Sequence, residues 1–509
     1  ALAFADDLVL IGGSWSDMAV NLKLLDTFCR DSGLAVNTGK SRGFLLQPCS
    51  GSYTVNDCAP WVLGQGTLQF TTIDESVKYL GLRLSPWDGI TKTDWVGVLD
   101  GWIGNISRSL LKPSQKVVLL NQYALPRLFY QMDLAEASDG VLRTLDGKIR
   151  GAVRAWLHLP QSTCEGLLYA RNRDGGLGLC KLSRHIPSMS VRRLFHLSHS
   201  SSSVVRALLR SSEGQSRFER AWLRAGGTAD NLPQLVEGGS NDRGDTASSL
   251  TPMCPVPCDW RREEFVRWAG LLTQGVGVLG FYGSSASNAW LRGPVRLSEK
   301  QFVAALQLRA GVYPTLEFRC RGRSKTVAAC RHCSATLESC SHILGQCPAM
   351  QKARIARHMK LCRLLAAEAE KLGWTTHREW AFRTPEGALR RLDLVLVRDG
   401  LALAVDVAVR YEFAPDSLQV AAKHKVDYYG PFKKTIAREL GVREVQVFGF
   451  PLGARGLWHT NNNRLLLVMG LSKARMKSFA ELMSRRCLLY SLDILRGFSA
   501  SLRPRIQQT

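Results

Sequence analysis

No apolar run approaches the roughly 18 residues that a helix needs to cross a bilayer, so a helical membrane protein is excluded and no membrane partner is expected. The chain opens with no basic stretch followed by a short apolar core, so no secretory signal is read at its start. Fourteen cysteines scattered over 509 residues are too few for a disulfide scaffold of this length, and a reducing compartment is expected. Acidic residues are also scarce, with 43 Asp and Glu against 67 Lys and Arg, for a net charge of +24. The shortage is uneven. Residues 1–100 hold eleven acidic and seven basic side chains, so the remaining 409 carry +28. A surplus of that size points to a polyanion, with nucleic acid as the first expectation.

The first fourteen residues, ALAFADDLVLIGGS, read as two short apolar strands around an Asp pair. Met18, Leu22, Leu25 and Phe28 recur at helical steps up to Gly33. Strand-like runs then flank a Gly-rich stretch at 50–75, and helical spacing takes over from about Thr93 to Leu157. Residues 225–260 are rich in Gly, Ser, Asn, Asp and Pro and read as a linker. A Cys/His segment at 319–347 precedes a basic helix over about Met350–Leu372. Three β-like runs follow, joined by RTPEG and RDG turns, then a helix and one more strand.

Three places carry chemistry. Asp6 and Asp7 are adjacent carboxylates on a tight hairpin, a costly arrangement unless divalent cations such as Mg²⁺ neutralise them, as in two-metal phosphoryl transfer. Cys330, Cys333, His342 and Cys347 follow C-x2-C-x8-H-x4-C, the donor set of tetrahedral Zn²⁺, with Cys340 and Cys320 as substitutes for the later ligands. Basic residues surround this cluster and could meet phosphates: Arg319, Arg321, Arg323, Lys325 and Arg331 before or within it, then Lys352, Arg354, Arg357, Lys360 and Arg363 along the helix. Finally, Asp393 and Asp406 lie within apolar strands joined by the RDG turn. Hairpin pairing would bring both carboxylates to one Mg²⁺.

AFADDLVLIG resembles the strand–Asp–Asp–strand motif of reverse transcriptases in the form common among non-LTR retrotransposons. GLAVNTGKS, YLGLRLS and LYARNRDGGLGL are similar to later segments of that family, in family order. By that resemblance Asp6 is the principal metal ligand, Asp7 its neighbour, and Lys40 acts near the pyrophosphate leaving group. The family's upstream Asp and fingers would lie before Ala1, so this chain alone is not expected to polymerise. Asp393-x12-Asp406 is similar to the PD…D/E…K nuclease core, although Leu392 stands for the usual Pro and Ala408 for the usual Lys. The restriction-like endonucleases of non-LTR elements resemble this variant, with the Lys moved to the following helix. Lys423 is then the candidate and Lys425 the alternative, with Arg410, Tyr411 and Glu412 shaping the same site.

The order of motifs resembles the C-terminal part of a site-specific non-LTR retrotransposon protein of the R-two-type clade. The expected fold is multidomain α+β. It implies part of a right-hand polymerase palm at 1–90, a helical thumb and following segment at 91–224, and a linker region with some helix at 225–310. A CCHC zinc knuckle with its basic helix would occupy 311–372, and an α/β restriction-like nuclease 373–509. The resemblance implies nicking of target DNA, expected to be ribosomal DNA, followed by priming on the element's own RNA with deoxynucleotides, in the nucleus or nucleolus. A nucleic-acid-binding fragment with an inactive nuclease is the alternative.

Overall fold

A hairpin opens the chain because the two flanking runs are apolar and only two residues separate them. In the computed structural model, which describes residues 1–56, 61–91, 93–235, 254–292, 297–322 and 327–501, β1 (Leu2–Phe4) and β2 (Asp7–Val9) pair antiparallel, Phe4 opposite Asp7. Helix α1 (Trp15–Ser32) starts where the Ser14 hydroxyl accepts from the Asp17 amide. It ends at Gly33, whose φ of 70° is a left-handed conformation glycine adopts without cost. Its apolar side meets a small cluster of Leu22, Trp61, Leu63 and Leu68, with Trp61 stacked on Trp15 at 4.9 Å. β3 (Val77–Tyr79) and β4 (Leu82–Ser85) pair next. Among the described residues, 1–90 form separate two- and three-stranded pieces and not one continuous palm sheet.

Helices α2 (Trp95–Arg108), α3 (Asp139–Trp156) and α4 (Leu182–Ser198) belong to a helical region. α3 buries Leu142, Leu145, Ile149, Val153 and Trp156 along one stripe, as three- and four-residue spacing requires. Asp146 is buried on the same stripe, but its carboxylate accepts from the amides of Leu182 (2.7 Å) and Ser183 (3.1 Å), capping the first turn of α4.

The linker reading of 225–310 is corrected over its second half. α5 (Trp260–Ala269) and α6 (Glu299–Arg309) send Trp260, Phe265, Trp268, Phe302 and Leu306 into the same core as Leu99 and Leu145. Burial of that much aromatic surface fixes the segment to the bundle. The polar, Gly-rich part that prompted the reading falls largely on 236–253, outside the described residues.

The Cys/His segment and its short helix α7 (Cys340–Gly345) join this core through Cys330, Ile343, Leu344 and Cys347. Helix α8 (Gln351–Glu370) leads to a meander of β5 (Thr375–Arg383), β6 (Leu389–Arg398) and β7 (Leu401–Arg410). Helix α9 (Ser417–Tyr429) lies in the crossover to β8 (Glu444–Gly453), which pairs parallel to β7, and the sheet order is β5-β6-β7-β8. The last helix, α10 (Lys473–Ala500), has 28 residues.

Both faces of the sheet are covered, so β6 and β7 read as nearly continuous apolar runs. Leu394, Leu396, Leu403 and Val405 meet Leu361, Leu365 and Ala369 of α8 and Phe479 and Met483 of α10. Leu392, Val395, Ala402 and Ala404 meet Tyr429 and Ile436 on the other side. The proposed boundary at 372/373 therefore crosses shared cores. α8 packs on the sheet, while Leu488, Leu492, Leu495 and Phe498 of α10 pack with the Cys/His segment and the bundle.

Candidate active site and metal centre

The β6–β7 ladder ends at Leu394–Val405, one step short of Asp393 and Asp406. The next strand over is disturbed at the same level. β5 pairs Arg378 with Leu394 and Trp380 with Leu392, skipping Glu379, which takes φ 49°. The two carboxylates thus sit where the strands part, and β7 continues alongside β8 as far as Arg410. Asp393 Oδ2 accepts from the Val407 amide at 2.7 Å. Asp406, only 4% exposed, makes an ion pair with Lys425 Nζ at 2.8 Å. Burial, then the charge of Asp393, raises the Asp406 carboxyl above the ordinary carboxylate range, while Lys425 pulls it back.

Of the two candidate lysines, Lys425, the alternative, is the one that meets Asp406, and the choice of Lys423 is corrected to that extent. Helix α9 buries Ala422 and Tyr429 against the sheet, while Leu418 packs on Phe281 and Leu457; Lys425 follows Ala422 by three residues and precedes Tyr429 by four, so it shares their face. Lys423 is one residue past Ala422, turned about 100° away, and is exposed. Glu412 is also corrected. Its carboxylate is buried against Arg455, Nε to Oε2 at 3.1 Å, and accepts from the Arg455 amide at 3.0 Å, so it serves the core.

Sequence reasoning missed His358. From the buried side of α8 its Nε2 lies 3.1 Å from Asp393 Oδ2 and 3.0 Å from the Val407 carbonyl. Its hydrogen bond to Asp393 raises its pKa. Cys362, one turn on, approaches the same imidazole at 3.9 Å. The available signal was the stripe Arg357, Leu361, Leu365 and Ala369, which marks that side of the helix as inward.

The donor atoms of Cys330, Cys333, His342 and Cys347 lie within 4.8 Å of one another. Cys330 and Cys347 sulfurs are 4.0 Å apart, and Cys333 Sγ is 3.3 Å from His342 Nε2. Tetrahedral coordination at about 2.3 Å from sulfur spaces ligands by roughly 3.8 Å, so the four could hold a metal ion. Cys340 is buried outside this group, and the Cys320 thiol faces the Val327 carbonyl at 3.8 Å. His332, inside the C-x2-C turn, packs edge-on against Phe498 at 4.5 Å, with Nε2 3.2 Å from the Phe498 carbonyl. The knuckle is thereby joined to the end of α10.

The basic residues divide. Arg331 forks onto Glu338 at 2.6 and 2.7 Å, and Glu338 is fully buried. Arg357 is buried, donating to Ser491 Oγ at 3.0 Å and the Leu344 carbonyl at 2.9 Å. These two are structural, a correction imposed by their partners. Arg321 pairs with Glu317 at 3.3 Å, and Arg354 donates to the Gly345 carbonyl. Arg319, Lys352, Lys360 and Arg363 are exposed, and the last three fall within about 80° of the circumference of α8 at 3.6 residues per turn. Arg323 and Lys325 lie outside the described residues.

At the other end of the chain, Asp6 and Asp7 are exposed at the β1–β2 turn, where Ala5 takes φ 53°. Lys40 is exposed in a turn in which its amide donates to Asn37 Oδ1 at 3.1 Å. No helix among the described residues is long and apolar enough to cross a membrane.

No protein-family model matches the chain. A retrovirus-related Pol polyprotein from type-1 retrotransposable element R2 of Popillia japonica is 29% identical over 482 residues, covering 93% of each chain. A second polyprotein of that description and organism is 31% identical over 405 residues, 79% of this chain and 82% of the relative. The corresponding protein of Nasonia vitripennis is 24% identical over 486 residues, and the chain spans 43% of its length. With a relative above 30% identity aligned over most of both lengths, the chain belongs to the R2 retrotransposon Pol polyproteins.

Proposed function

We propose that the chain is the nicking portion of a retrotransposon polyprotein that combines RNA-directed DNA polymerase with DNA endonuclease. The observation that carries the nuclease reading is the convergence of Asp393, Asp406 and Lys425 where β6 and β7 part. Carboxylate oxygens are the donors Mg²⁺ takes, and two of them on one side of a strand fork suit it. Mg²⁺ held there would supply a nucleophilic water and neutralise charge on the scissile phosphate. Asp393, fixed by the Val407 amide, and Asp406, paired with Lys425, would supply the oxygens that hold it. Lys425 places a cation beside the developing charge, where a preorganised group acts strongly.

Zn²⁺ at Cys330, Cys333, His342 and Cys347 would staple the knuckle, and the donor set fits it. Lys352, Lys360 and Arg363 present a basic strip along α8 for the DNA backbone or element RNA, with Arg319 as a further exposed cation. In the whole polyprotein, Asp6 and Asp7 would bind Mg²⁺ for nucleotidyl transfer, with Lys40 toward the leaving group. The reading extends to target-primed reverse transcription: one strand of target DNA, taken to be ribosomal, is nicked and its 3′-hydroxyl extended with deoxynucleotides on the element RNA. That activity belongs in the nucleus and its nucleolus.

The test is Mg²⁺-dependent nicking of supercoiled plasmid by the full chain, because the knuckle, bundle and α10 share a core. Wild type should relax the plasmid and Asp406→Ala should not. Equal relaxation by both, or no relaxation on plasmid and ribosomal DNA alike, would leave a binding-only fragment as the better reading.

A further inference from the structure

Helix α8 leaves the knuckle at its N-terminus and crosses the sheet carrying Asp393, and His358 stands at the crossing. Its Nε2 lies 3.1 Å from Asp393 Oδ2 and 3.0 Å from the Val407 carbonyl. Both partners are acceptors, so Nε2 carries the proton and divides it between them. The Val407 amide donates to the same Oδ2 at 2.7 Å. Oδ2 is thus held by two donors, whereas Oδ1 takes no hydrogen bond among the described residues.

We infer that His358 is a positioning residue for the metal centre of the nuclease. By fixing Oδ2 it sets the rotation of the Asp393 carboxylate and leaves Oδ1 as the oxygen available to a cation. The Val407 contact also ties α8 to β7 one residue past Asp406, so one imidazole steadies both acid-bearing strands. A carboxylate that must bind a cation gains from such a partner, because an untethered one loses rotational freedom on binding. The imidazole itself is held from behind. Leu361 and Leu365 on the same side of α8 are buried against the sheet, and Arg357, the preceding residue, is hydrogen-bonded to Leu344 and Ser491. A group so fixed can orient a neighbour.

This inference rests on the nuclease reading, and its test separates the two. Mn²⁺ replaces Mg²⁺ as a paramagnetic probe, and free and bound ion are counted by electron paramagnetic resonance on the full chain. An Asp6→Asn, Asp7→Asn background keeps the ion off the N-terminal hairpin. His358→Ala should weaken Mn²⁺ binding by roughly tenfold or more. His358→Gln should recover most of it, since the Gln amide nitrogen reaches about where Nε2 lies and donates. Spin-echo modulation of the bound ion should show no coordinated imidazole nitrogen. Thermal melts show that the variants being compared are folded.

Unchanged binding in His358→Ala overturns the inference, as does a folded His358→Gln no better than His358→Ala. Directly coordinated nitrogen lost in His358→Ala overturns it too, since His358 would then be a ligand. Asp406→Asn serves as the control. If it abolishes Mn²⁺ binding while His358→Ala does not weaken it, only the positioning role falls. If Asp406→Asn binds Mn²⁺ as the background does, the nuclease metal centre itself falls.

Discussion

Asp6 and Asp7 are neighbours in the chain and remain exposed on a hairpin of two three-residue strands. Asp393 and Asp406 are thirteen residues apart, and strand pairing sets them opposite one another within a four-stranded sheet. The first pair has no lysine, histidine or backbone amide holding its carboxylates among the described residues. The second has one of each: Lys425, His358 and the Val407 amide. Chemically similar carboxylate pairs thus differ in everything around them. A carboxylate on a short exposed hairpin can rotate toward solvent at little cost, whereas one at a buried strand fork must be satisfied where it stands. Preorganisation comes from the scaffold behind the acids and not from the acids themselves.

The most direct way to break that contrast is to remove one acid from each pair. Asp406→Ala is expected to abolish Mg²⁺-dependent plasmid nicking, while Asp7→Ala, at the exposed start of β2, shifts stability by no more than about 0.5 kcal/mol in a thermal melt. Nicking that survived Asp406→Ala, or a collapse of the fold with Asp7→Ala, would erase the difference. Next in size is the knuckle. Cys330→Ser with Cys333→Ser should remove one equivalent of zinc by atomic absorption and disorder 330–347 by hydrogen exchange. Nicking should fall as well, because α8 and α10 run from the knuckle to the sheet.

The lysines sharpen the comparison at one helix. Lys425→Ala should slow single-turnover nicking by roughly 10²-fold, the usual scale for loss of one preorganised charge. Lys423→Ala, one residue past the face of α9 that meets the sheet, should change it far less; the reverse order would restore Lys423 as the active lysine. The smallest effect separates two arginines of α8. Arg357→Ala should cost about 1–3 kcal/mol in denaturant unfolding by stranding the Leu344 carbonyl and Ser491. Arg363→Ala should leave unfolding nearly unchanged and lower the salt slope of DNA binding by about one.

What was legible in the sequence had local causes. The RDG turn between two apolar runs predicted the hairpin that brings Asp393 and Asp406 opposite, and the C-x2-C-x8-H-x4-C spacing selected the four donors that the fold gathers. The choice between Lys423 and Lys425 needed the inward face of α9, which depends on how the crossover lies over the sheet. His358 was hidden because Asp393 is 35 residues away. Arg357 looked like part of a basic face because charge spacing was weighed without the stripe of Leu361, Leu365 and Ala369. The stretch around Trp260, Phe265 and Trp268 falls in the region expected to be linker with some helix because its neighbour is Gly-rich, although three aromatics within nine residues argue for a core.

His332 meets Phe498 across the whole C-terminal portion of the chain, and that contact has a consequence in time. The ribosome finishes the knuckle at Cys347 about 150 residues before Phe498 is made. At about 5–20 residues per second that is a lag of roughly 8–30 s. During that interval the four donors are already made, yet the part of their docking surface that α10 supplies does not exist. A chain released early by a stop codon in the last helix would therefore keep all four donors and the bundle side of their surface, and lose the side that α10 supplies.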